Sequence, residues 1–187
     1  MNSLSALLRC FHPLSDAELL AAEGVFRHES HPRGTLLLRA GEVCEHFYAV
    51  ASGVLRTFFQ NEDGTERTRL ILLPNSMGTV LASLLDRLPS QEFFEVLEDA
   101  VVYAVPRDSF YRLMAEHSGW NLFYRSMLER AYLFQNRRIE DRETLDAHQR
   151  FRALQQSQPE ILRSVSNAVA ASYLGISPET LSRLKAR

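Results

Sequence analysis

The pattern of apolar and polar residues changes along the chain from helical to β-like and back to helical. Near the N-terminal end, the residues of a capping box occur in the run Ser15-Asp-Ala-Glu18. This run predicts a short helix from about Asp16 towards Val25, with Leu19 and Leu20 buried. A helical segment therefore precedes the region in which the spacing of the apolar residues changes.

The central region, from Arg33 to Val105, consists of short runs of Leu, Val, Phe and Tyr separated by turn residues. Turn signals at this spacing indicate an antiparallel β-sandwich or barrel. One run, Leu70-Ile-Leu-Leu73, is continuously apolar, as expected of a strand that is buried on both faces. After the last run, Phe110, Leu113 and Met114 recur at helical spacing, so a helix should follow the β-rich region.

A long helix is predicted from Ser118-Gly119 to about Glu143, and its apolar residues form two stripes. A helix that docks only on its own domain needs one stripe, so we predict that a second copy of the chain covers the other and that the protein is a homodimer. The predicted dimerisation residues are Trp120, Phe123, Met127, Ala131 and Phe134. The other stripe consists of Tyr124, Leu128 and Tyr132. The alternative is a helix buried in the core of a monomer, which the polar run Arg137–Glu143 disfavours.

The last two dozen residues have the pattern of a helix, a short turn and a second helix, which is the layout of a helix-turn-helix DNA-binding motif. Ala168, Ala171 and Leu174 give the first helix an apolar face. Gly175 can adopt the left-handed conformation that ends this helix. An ordinary helical hairpin that closes a domain has the same pattern, so the motif alone leaves both interpretations open.

The second helix of this motif should begin at Ser177, whose hydroxyl is suited to an N-cap, and Pro178 fits the first helical turn. Leu181 and Leu184 recur on its inward side, which leaves its polar residues for solvent or DNA. The candidate DNA-binding residues are Ser177, Glu179, Thr180, Ser182, Arg183, Lys185 and Arg187.

The composition is that of a globular protein, with 45% hydrophobic and 24% charged residues in a chain of 187. The net charge of −2 disfavours a protein that coats nucleic acid without specificity. The segment Ser177–Arg187 nevertheless carries three positive residues and one negative residue, a local net charge of +2 that permits DNA binding. No signal peptide or membrane-spanning run is expected, so we predict cytoplasmic residence.

The chemistry-bearing residues do not form a recognisable catalytic or metal-binding set, so we predict neither an enzyme nor a metal site. Cys10 and Cys44 lack the spacing of zinc ligands, and two thiols are too few for an iron–sulfur cluster that needs four. His28 with His31, or Cys44 with His46, could be imagined as ligands. Histidines near strand ends serve far more often in loops and on surfaces than as metal ligands.

Glycine-punctuated segments recur through the β-rich region at Arg33–Glu42, Phe47–Gly53, Asp63–Glu66 and Gly78, and Tyr173–Arg183 spans the turn between the last two helices. In this order, an N-terminal helix, these segments, a long helix and a helix-turn-helix motif resemble the Crp/Fnr family of bacterial transcription regulators. The resemblance covers nearly the whole chain. Several independent segments in one order are more specific than any single motif.

The resemblance implies an α+β fold with an N-terminal antiparallel β-roll (jelly-roll-like) and flanking helices, then a long dimerisation helix, then a small helix-turn-helix domain. It divides the chain into a sensor domain at residues 1–118, a connecting and dimerisation helix at 119–143, and a DNA-binding domain at 144–187. Because the sequence stops at Arg187, we expect no β-hairpin wing after the recognition helix, and correspondingly weaker contacts with the DNA backbone.

The effector pocket implied by the resemblance departs from the family pattern. Members that bind cyclic nucleotide carry a Glu after the glycine and a later Arg for the cyclic phosphate. Here Thr79 follows Gly78, and Leu88–Phe93 has no basic residue at the position of that Arg. A buried phosphate would lose its charge-assisted hydrogen bonds, so we do not expect cyclic AMP in the usual pose. An unidentified small-molecule effector should contact Gly78, Thr79, Ser90, Gln91, Tyr124 and Leu128.

The leading hypothesis is a homodimeric, sequence-specific regulator that binds double-stranded DNA at an inverted-repeat operator. Pro178 replaces an Arg common at the start of the family's recognition helix, while Glu179 could accept a hydrogen bond from cytosine and Arg183 could contact guanine. The alternative is a small-molecule-binding or protein-interaction module that does not bind DNA. Exposure of Thr180, Arg183 and Lys185 on one face favours DNA binding, and their burial against the β-roll favours the module.

Overall fold

The computed structural model describes residues 3–186. The strands in this range are β1 (Arg27–His31), β2 (Leu36–Leu38), β3 (His46–Gln60), β4 (Glu66–Leu72), β5 (Met77–Gly78) and β6 (Phe93–Pro106). The helices are α1 (Leu4–Arg9), α2 (Asp16–Glu23), α3 (Leu81–Asp86), α4 (Arg107–Glu116), α5 (Ser118–Thr144), α6 (Ala147–Ser157), α7 (Pro159–Ser164), α8 (Asn167–Leu174) and α9 (Pro178–Lys185).

The strands form one antiparallel sheet in the order β1-β6-β3-β4, with β2 paired to β6 and β5 paired to β3. The two longest strands, β3 and β6, pair along most of their length, and their register shifts between Val50 and Leu55. Such irregularities bend a strand and increase its twist, which lets a sheet curl on itself. The expected α+β class with an antiparallel β-roll is therefore confirmed.

Strand β4 lies at the edge of the sheet, yet both of its faces are covered. Leu72 packs into the core of the β-roll, and Ile71 packs among the C-terminal helices. The outer members of the same apolar run, Leu70 and Leu73, are half-buried. Strand β4 is thus buried on both faces, as the sequence predicts, and the C-terminal helices cover the second face.

The predicted capping box is present at the start of α2. Glu18 accepts hydrogen bonds from the backbone N–H and the hydroxyl of Ser15, at 2.9 and 2.7 Å. It also accepts a bond of 2.7 Å from the backbone N–H of Gly119, so it links α2 to the first turn of α5. Leu19 is buried as predicted, but Leu20 is 69% exposed, because only the side of α2 with Leu19 and Ala22 faces the core.

The long helix is present as α5, but its apolar stripes are used differently from the prediction. Trp120, Phe123 and Met127 are buried in this chain's own core, where Trp120 and Phe123 contact the ring of Phe110. The prediction that these three residues face a second copy is therefore wrong, because they close the β-roll instead. The two other predicted dimerisation residues lie further along, with Ala131 exposed and Phe134 half-buried.

The opposite face of α5 is exposed to solvent and carries apolar residues among charged ones. Leu122 and Leu133 are separated by eleven residues, which is close to three helical turns, so they share a face. The large hydrophobic residues of α5 with at least 40% exposure are Leu122, Tyr132, Leu133 and Ile139. We call these four residues the outer face of α5.

The C-terminal helices α6 to α9 build a second apolar core that includes residues of the sheet. Its buried members are Val54, Ile71, Phe151, Leu154, Ile161, Ala170, Ala171, Tyr173, Leu174 and Leu181. The short helix α7, which the sequence pattern did not predict, contributes Ile161. Ala168 was expected on the inward face of α8 but is exposed, because α8 turns Ala170 and Ala171 inward instead.

Candidate functional site

The two last helices, α8 and α9, have the geometry predicted for a helix-turn-helix motif. Gly175 ends α8 in the left-handed conformation, with a φ of 68°. The hydroxyl of Ser177 accepts a hydrogen bond from the backbone N–H of Thr180 at 3.2 Å and caps α9, and Pro178 occupies the first turn. Leu181 is fully buried, so α9 is anchored by its apolar side.

The polar side of α9 presents most of the predicted DNA-binding residues to solvent. Ser177, Glu179, Ser182, Arg183 and Lys185 are exposed, whereas Thr180 is half-buried. Arg187 lies outside the described residues.

The exposed side chains of α9 also interact with one another. Arg183 Nη2 donates to Thr180 Oγ1 at 3.3 Å. The pKa of Glu179 is held below its usual value by hydrogen bonds from its own backbone N–H and from Ser177, and by the charge of Arg183. Lys185 is turned towards α8, where its Nζ donates to Asn167 Oδ1 at 2.7 Å. Glu179, Thr180 and Arg183 therefore form one continuous polar surface.

The main contact between the motif and the β-roll is made by α8. Ser172 of α8 bonds to the backbone of β4. Arg138 of α5 donates to the carbonyl oxygens of Arg69 in β4 and Tyr173 in α8, and its guanidinium lies 3.9 Å from the centre of the Tyr173 ring. Arg138 and Ser172 could not be recognised from the sequence pattern, because their partners are distant in sequence.

Further cations lie beside the end of α9. A cleft of about 420 Å³ is lined by residues of α6, α7 and α9, and these include His148, Arg152, Arg163 and Lys185. Arg152 and Arg163 are exposed. These two arginines were not predicted to bind DNA, since they lie on α6 and α7 and not on the predicted recognition helix.

The first part of the predicted effector pocket is occupied by interactions within the protein. The hydroxyl of Thr79 donates to the carbonyl oxygen of His46 at 2.8 Å and contacts the sulfur of Cys44 at 3.2 Å. A Cβ on Gly78 would lie 2.6 Å from a methyl carbon of Leu72, so a larger residue here would push the Leu72 side chain aside. Gly78 and Thr79 are half-buried.

The second part, between α3 and β6, contains a buried carboxylate, that of Glu92. Ser90 is buried, and its hydroxyl bonds to both the N–H and the carbonyl oxygen of Glu92. Glu92 is only 6% exposed; one of its oxygens pairs with Arg69 Nη1 at 2.9 Å, and the other is buried without a hydrogen-bond partner among the described residues. Gln91 is exposed.

Arg69 is thus a cation near the predicted pocket that the sequence did not reveal. Its charge is matched by Glu92, which pairs with it across β3. An incoming anion would meet the buried Glu92 carboxylate as well as Arg69, and like charges at short range in a buried site are strongly unfavourable.

Tyr124 and Leu128 of α5, the remaining predicted effector contacts, are half-buried. The ring of Tyr124 packs against Phe47, Phe110 and Tyr111. Burial, followed by a hydrogen bond with Tyr111, raises the pKa of the Tyr124 hydroxyl above its usual value. Tyr124 therefore contacts α4 through its ring.

Among residues 3–186, no cluster of three or more His, Cys, Asp or Glu side chains could hold a metal ion. Over the same range, none of the helices combines the length and the apolar character needed to cross a bilayer.

Residues 28–117 match the family model described as cyclic nucleotide-binding domain. A curated relative, the cyclic AMP receptor protein of Thermus thermophilus, is 30% identical over 104 residues, which cover 56% of this chain and 48% of the relative. The matched part of the chain thus spans about half the length of this relative.

Solved structures extend the similarity over most of the chain. The Thermus thermophilus catabolite activator protein aligns with a TM-score of 0.61 and 24% identity over 96% of this chain and 85% of that protein. A putative transcriptional regulator of the crp/fnr family from Eubacterium rectale aligns with a TM-score of 0.70 and 17% identity, over 91% of this chain and 82% of that protein. FixK2 of Bradyrhizobium japonicum aligns with a TM-score of 0.68 and 20% identity, over 87% of this chain and 83% of that protein. The chain has the Crp/Fnr fold.

The resemblance to the Crp/Fnr regulators that the sequence analysis identified is confirmed by these similarities. Within the Crp/Fnr fold of this chain, residues 28–117 include all of the strands except the first residue of β1. The division at residues 118 and 143, the absence of a wing, and the DNA-binding and effector residues stay predictions.

Proposed function

We propose that this chain is a sequence-specific DNA-binding transcription regulator of the Crp/Fnr type, with α9 as its recognition helix. The observation that carries the proposal is the arrangement of the motif on the β-roll. Helix α8 makes the contact with β4, while Arg183 and Lys185 of α9 are exposed. Exposed cations on the second helix are what a helix-turn-helix motif requires for entry into the major groove.

Arg183 is the residue of α9 that is best suited to contact a base. Its guanidinium is exposed and borders Thr180 and Glu179, so it could donate two hydrogen bonds to guanine O6 and N7. Glu179 could accept from cytosine N4. Lys185, whose ammonium lies beside Asn167 at the start of α8, is suited to a phosphate.

A second copy of the chain is the proposed occupant of the outer face of α5. Leu122, Tyr132, Leu133 and Ile139 place apolar surface on the side of the helix that the chain's own core does not cover. A two-fold axis along this face would present two recognition helices about one turn of DNA apart. The operator is therefore an inverted repeat with half-sites roughly ten base pairs apart, or a multiple of that spacing.

The β-roll is the proposed sensor, and cyclic AMP in the usual pose is not its effector. Arg69, the cation beside Ser90, is already paired with Glu92, and the other oxygen of Glu92 is buried without a partner among the described residues. A ligand that binds beside Glu92 would fit the site best if it donated a hydrogen bond to that oxygen.

Selection of bound sequences from random double-stranded DNA tests the proposal. We expect enrichment of an inverted repeat by the wild-type chain and loss of that enrichment in the Arg183→Ala variant. If the wild-type chain enriches no sequence, the proposal is wrong and the alternative of a binding module without DNA affinity is favoured.

A further inference from the structure

A wide cleft lies between the second half of α5, α6 and the end of α8, outside both the predicted effector pocket and the recognition helix. It has a volume of about 530 Å³, within the usual size range of small-molecule sites. Four arginines line it: Arg137, Arg138 and Arg142 from α5, and Arg150 from α6. We call this cleft the arginine cavity.

The arginine cavity carries an excess of positive charge. Glu140 and Asp141 also line it, so four positive side chains face two negative ones. Among residues 3–186, none of the four arginines forms an ion pair with a carboxylate. The cavity is therefore electropositive as it stands.

Two of the four arginines hold the surrounding backbone through neutral acceptors. Arg138 donates to the carbonyl oxygens of Arg69 and Tyr173, and Arg150 donates to those of Leu145 and Leu174. Carbonyl oxygens satisfy the N–H groups but do not cancel the charge. Burial lowers the pKa of Arg138, and the charges of Arg142 and Arg69 add to this effect.

The other two arginines are free to bind something else. Arg137 and Arg142 are exposed, and neither guanidinium has a hydrogen-bond or ion-pair partner among the described residues. Arg142 lies beside the turn of the helix-turn-helix motif, since its Nη2 is 3.4 Å from the point that a Cβ on Gly175 would occupy. Phe134, Leu154 and Tyr173 supply apolar and aromatic walls to the same cavity.

The geometry points to the arginine cavity as a binding site for a small phosphorylated molecule. A phosphate group offers several acceptor oxygens to the planar guanidinium forks of Arg137 and Arg142. The apolar walls suit the organic part of such a ligand. The negative charge of the ligand would offset the positive charge that Glu140 and Asp141 do not balance.

A ligand in this cavity would bridge the sensor side and the DNA-binding side of the molecule. Arg137 and Arg142 belong to the long helix, α6 forms the opposite wall, and Tyr173 and Leu174 belong to the first helix of the motif. A bound anion would favour those orientations of α8 in which the cavity is closed around it. The site is therefore placed to change the orientation of α9, and its occupancy can be measured without DNA.

Isothermal titration calorimetry of the full chain with inorganic pyrophosphate, at constant ionic strength and without DNA, tests the inference. We expect one saturable site per chain, with affinity weakened about tenfold or more in Arg137→Gln and in Arg142→Gln. Arg125→Gln is the matched control, because Arg125 is an exposed arginine of the same helix outside the cavity, and it should bind like the wild type. Equal thermal midpoints would show that the variants are folded.

Three results would overturn the inference. The first is the absence of saturable pyrophosphate binding by the wild type, as expected if the arginines serve only to stabilise the end of α5 or to contact the DNA backbone. The second is unchanged binding in both cavity variants. The third is loss of binding in Arg183→Gln, which would place the anion on α9 instead.

Discussion

The hydroxyl of Ser172, in the first helix of the helix-turn-helix motif, accepts a hydrogen bond of 2.8 Å from the backbone N–H of Thr68 in the sheet. The same hydroxyl donates to the carbonyl oxygen of Glu66 at 2.9 Å. Strand β4 is an edge strand, and edge strands carry unpaired N–H and C=O groups. One side chain of α8 therefore satisfies a donor and an acceptor of the sheet edge and holds the motif on the β-roll.

Ser172→Ala should lower the free energy of unfolding by about 1–2 kcal/mol, because it leaves one N–H and one C=O of β4 without these partners. Ser182→Ala is the matched control: Ser182 lies in α9, is exposed, and its hydroxyl makes no hydrogen bond among the described residues. Its effect should stay within about 0.5 kcal/mol. Chemical denaturation measures both, and equal stabilities of the two variants would mean that the bonds to β4 contribute nothing.

Acid should weaken the junction between α2 and α5. Hydrogen bonds, chiefly from Ser15 and to a smaller extent from the backbone N–H of Gly119, hold the pKa of Glu18 below its ordinary value of 4.5. A lowered folded-state pKa contributes stability that is complete above the unfolded pKa and is lost as the pH falls through the folded one.

In the Glu18→Gln variant, the free energy of unfolding should therefore fall less steeply than in the wild type as the pH is lowered below 4.5. In the Glu23→Gln variant, which changes the last turn of the same helix, it should fall as steeply as in the wild type. Denaturation curves at a series of pH values measure this. Parallel declines in the two variants and the wild type would refute the role of Glu18.

The sequence correctly predicted the elements that neighbouring residues determine. Predictions of packing and pairing failed where they depended on a residue distant in sequence. The cap residues Ser15 and Ser177 function as predicted, since capping involves only neighbouring residues. The stripe containing Trp120 was assigned to the wrong partner, because periodicity shows that a face is buried but not what buries it. The pairing of Arg69 with Glu92 could not be predicted, since it depends on the order of strands in the sheet.

Leu133→Glu should convert the proposed dimer into a monomer at micromolar concentration without unfolding the chain. Leu133 is 53% exposed on the outer face of α5, so a buried charge would arise only in the dimer. Leu20→Glu, at an even more exposed leucine of α2, is the control and should remain dimeric. Light scattering gives the mass of each, and a wild-type monomer at that concentration would end the proposal of a dimer.

Cyclic AMP should show no saturable binding to the wild-type chain in titration calorimetry at physiological concentrations. Glu92→Gln should create weak binding, because it removes the buried carboxylate and frees the guanidinium of Arg69 for a phosphate. Glu98→Gln, at an exposed residue of β6, should bind no better than the wild type. Tight binding to the wild type would show that Arg69 serves the phosphate despite Glu92.

Arg183→Ala should weaken binding to the selected operator by roughly 1–3 kcal/mol and relax specificity at one base pair of each half-site, if the guanidinium contacts a guanine. The Arg183 guanidinium is exposed and bonded only to Thr180 Oγ1 among the described residues, so its removal should leave the stability of α9 nearly unchanged. Competition titrations with operators mutated one base pair at a time measure the loss and the position at which it occurs.

Lys185→Ala is the matched comparison for a phosphate contact. It should weaken binding about equally for all sequences and reduce the slope of log affinity against log salt by about one. If Arg183→Ala behaves in the same way, Arg183 contacts the backbone and the sequence is recognised by other residues. If Arg183→Ala leaves affinity unchanged at low salt while the dimer stays intact, α9 does not enter the DNA groove, and the proposed function fails at its central point.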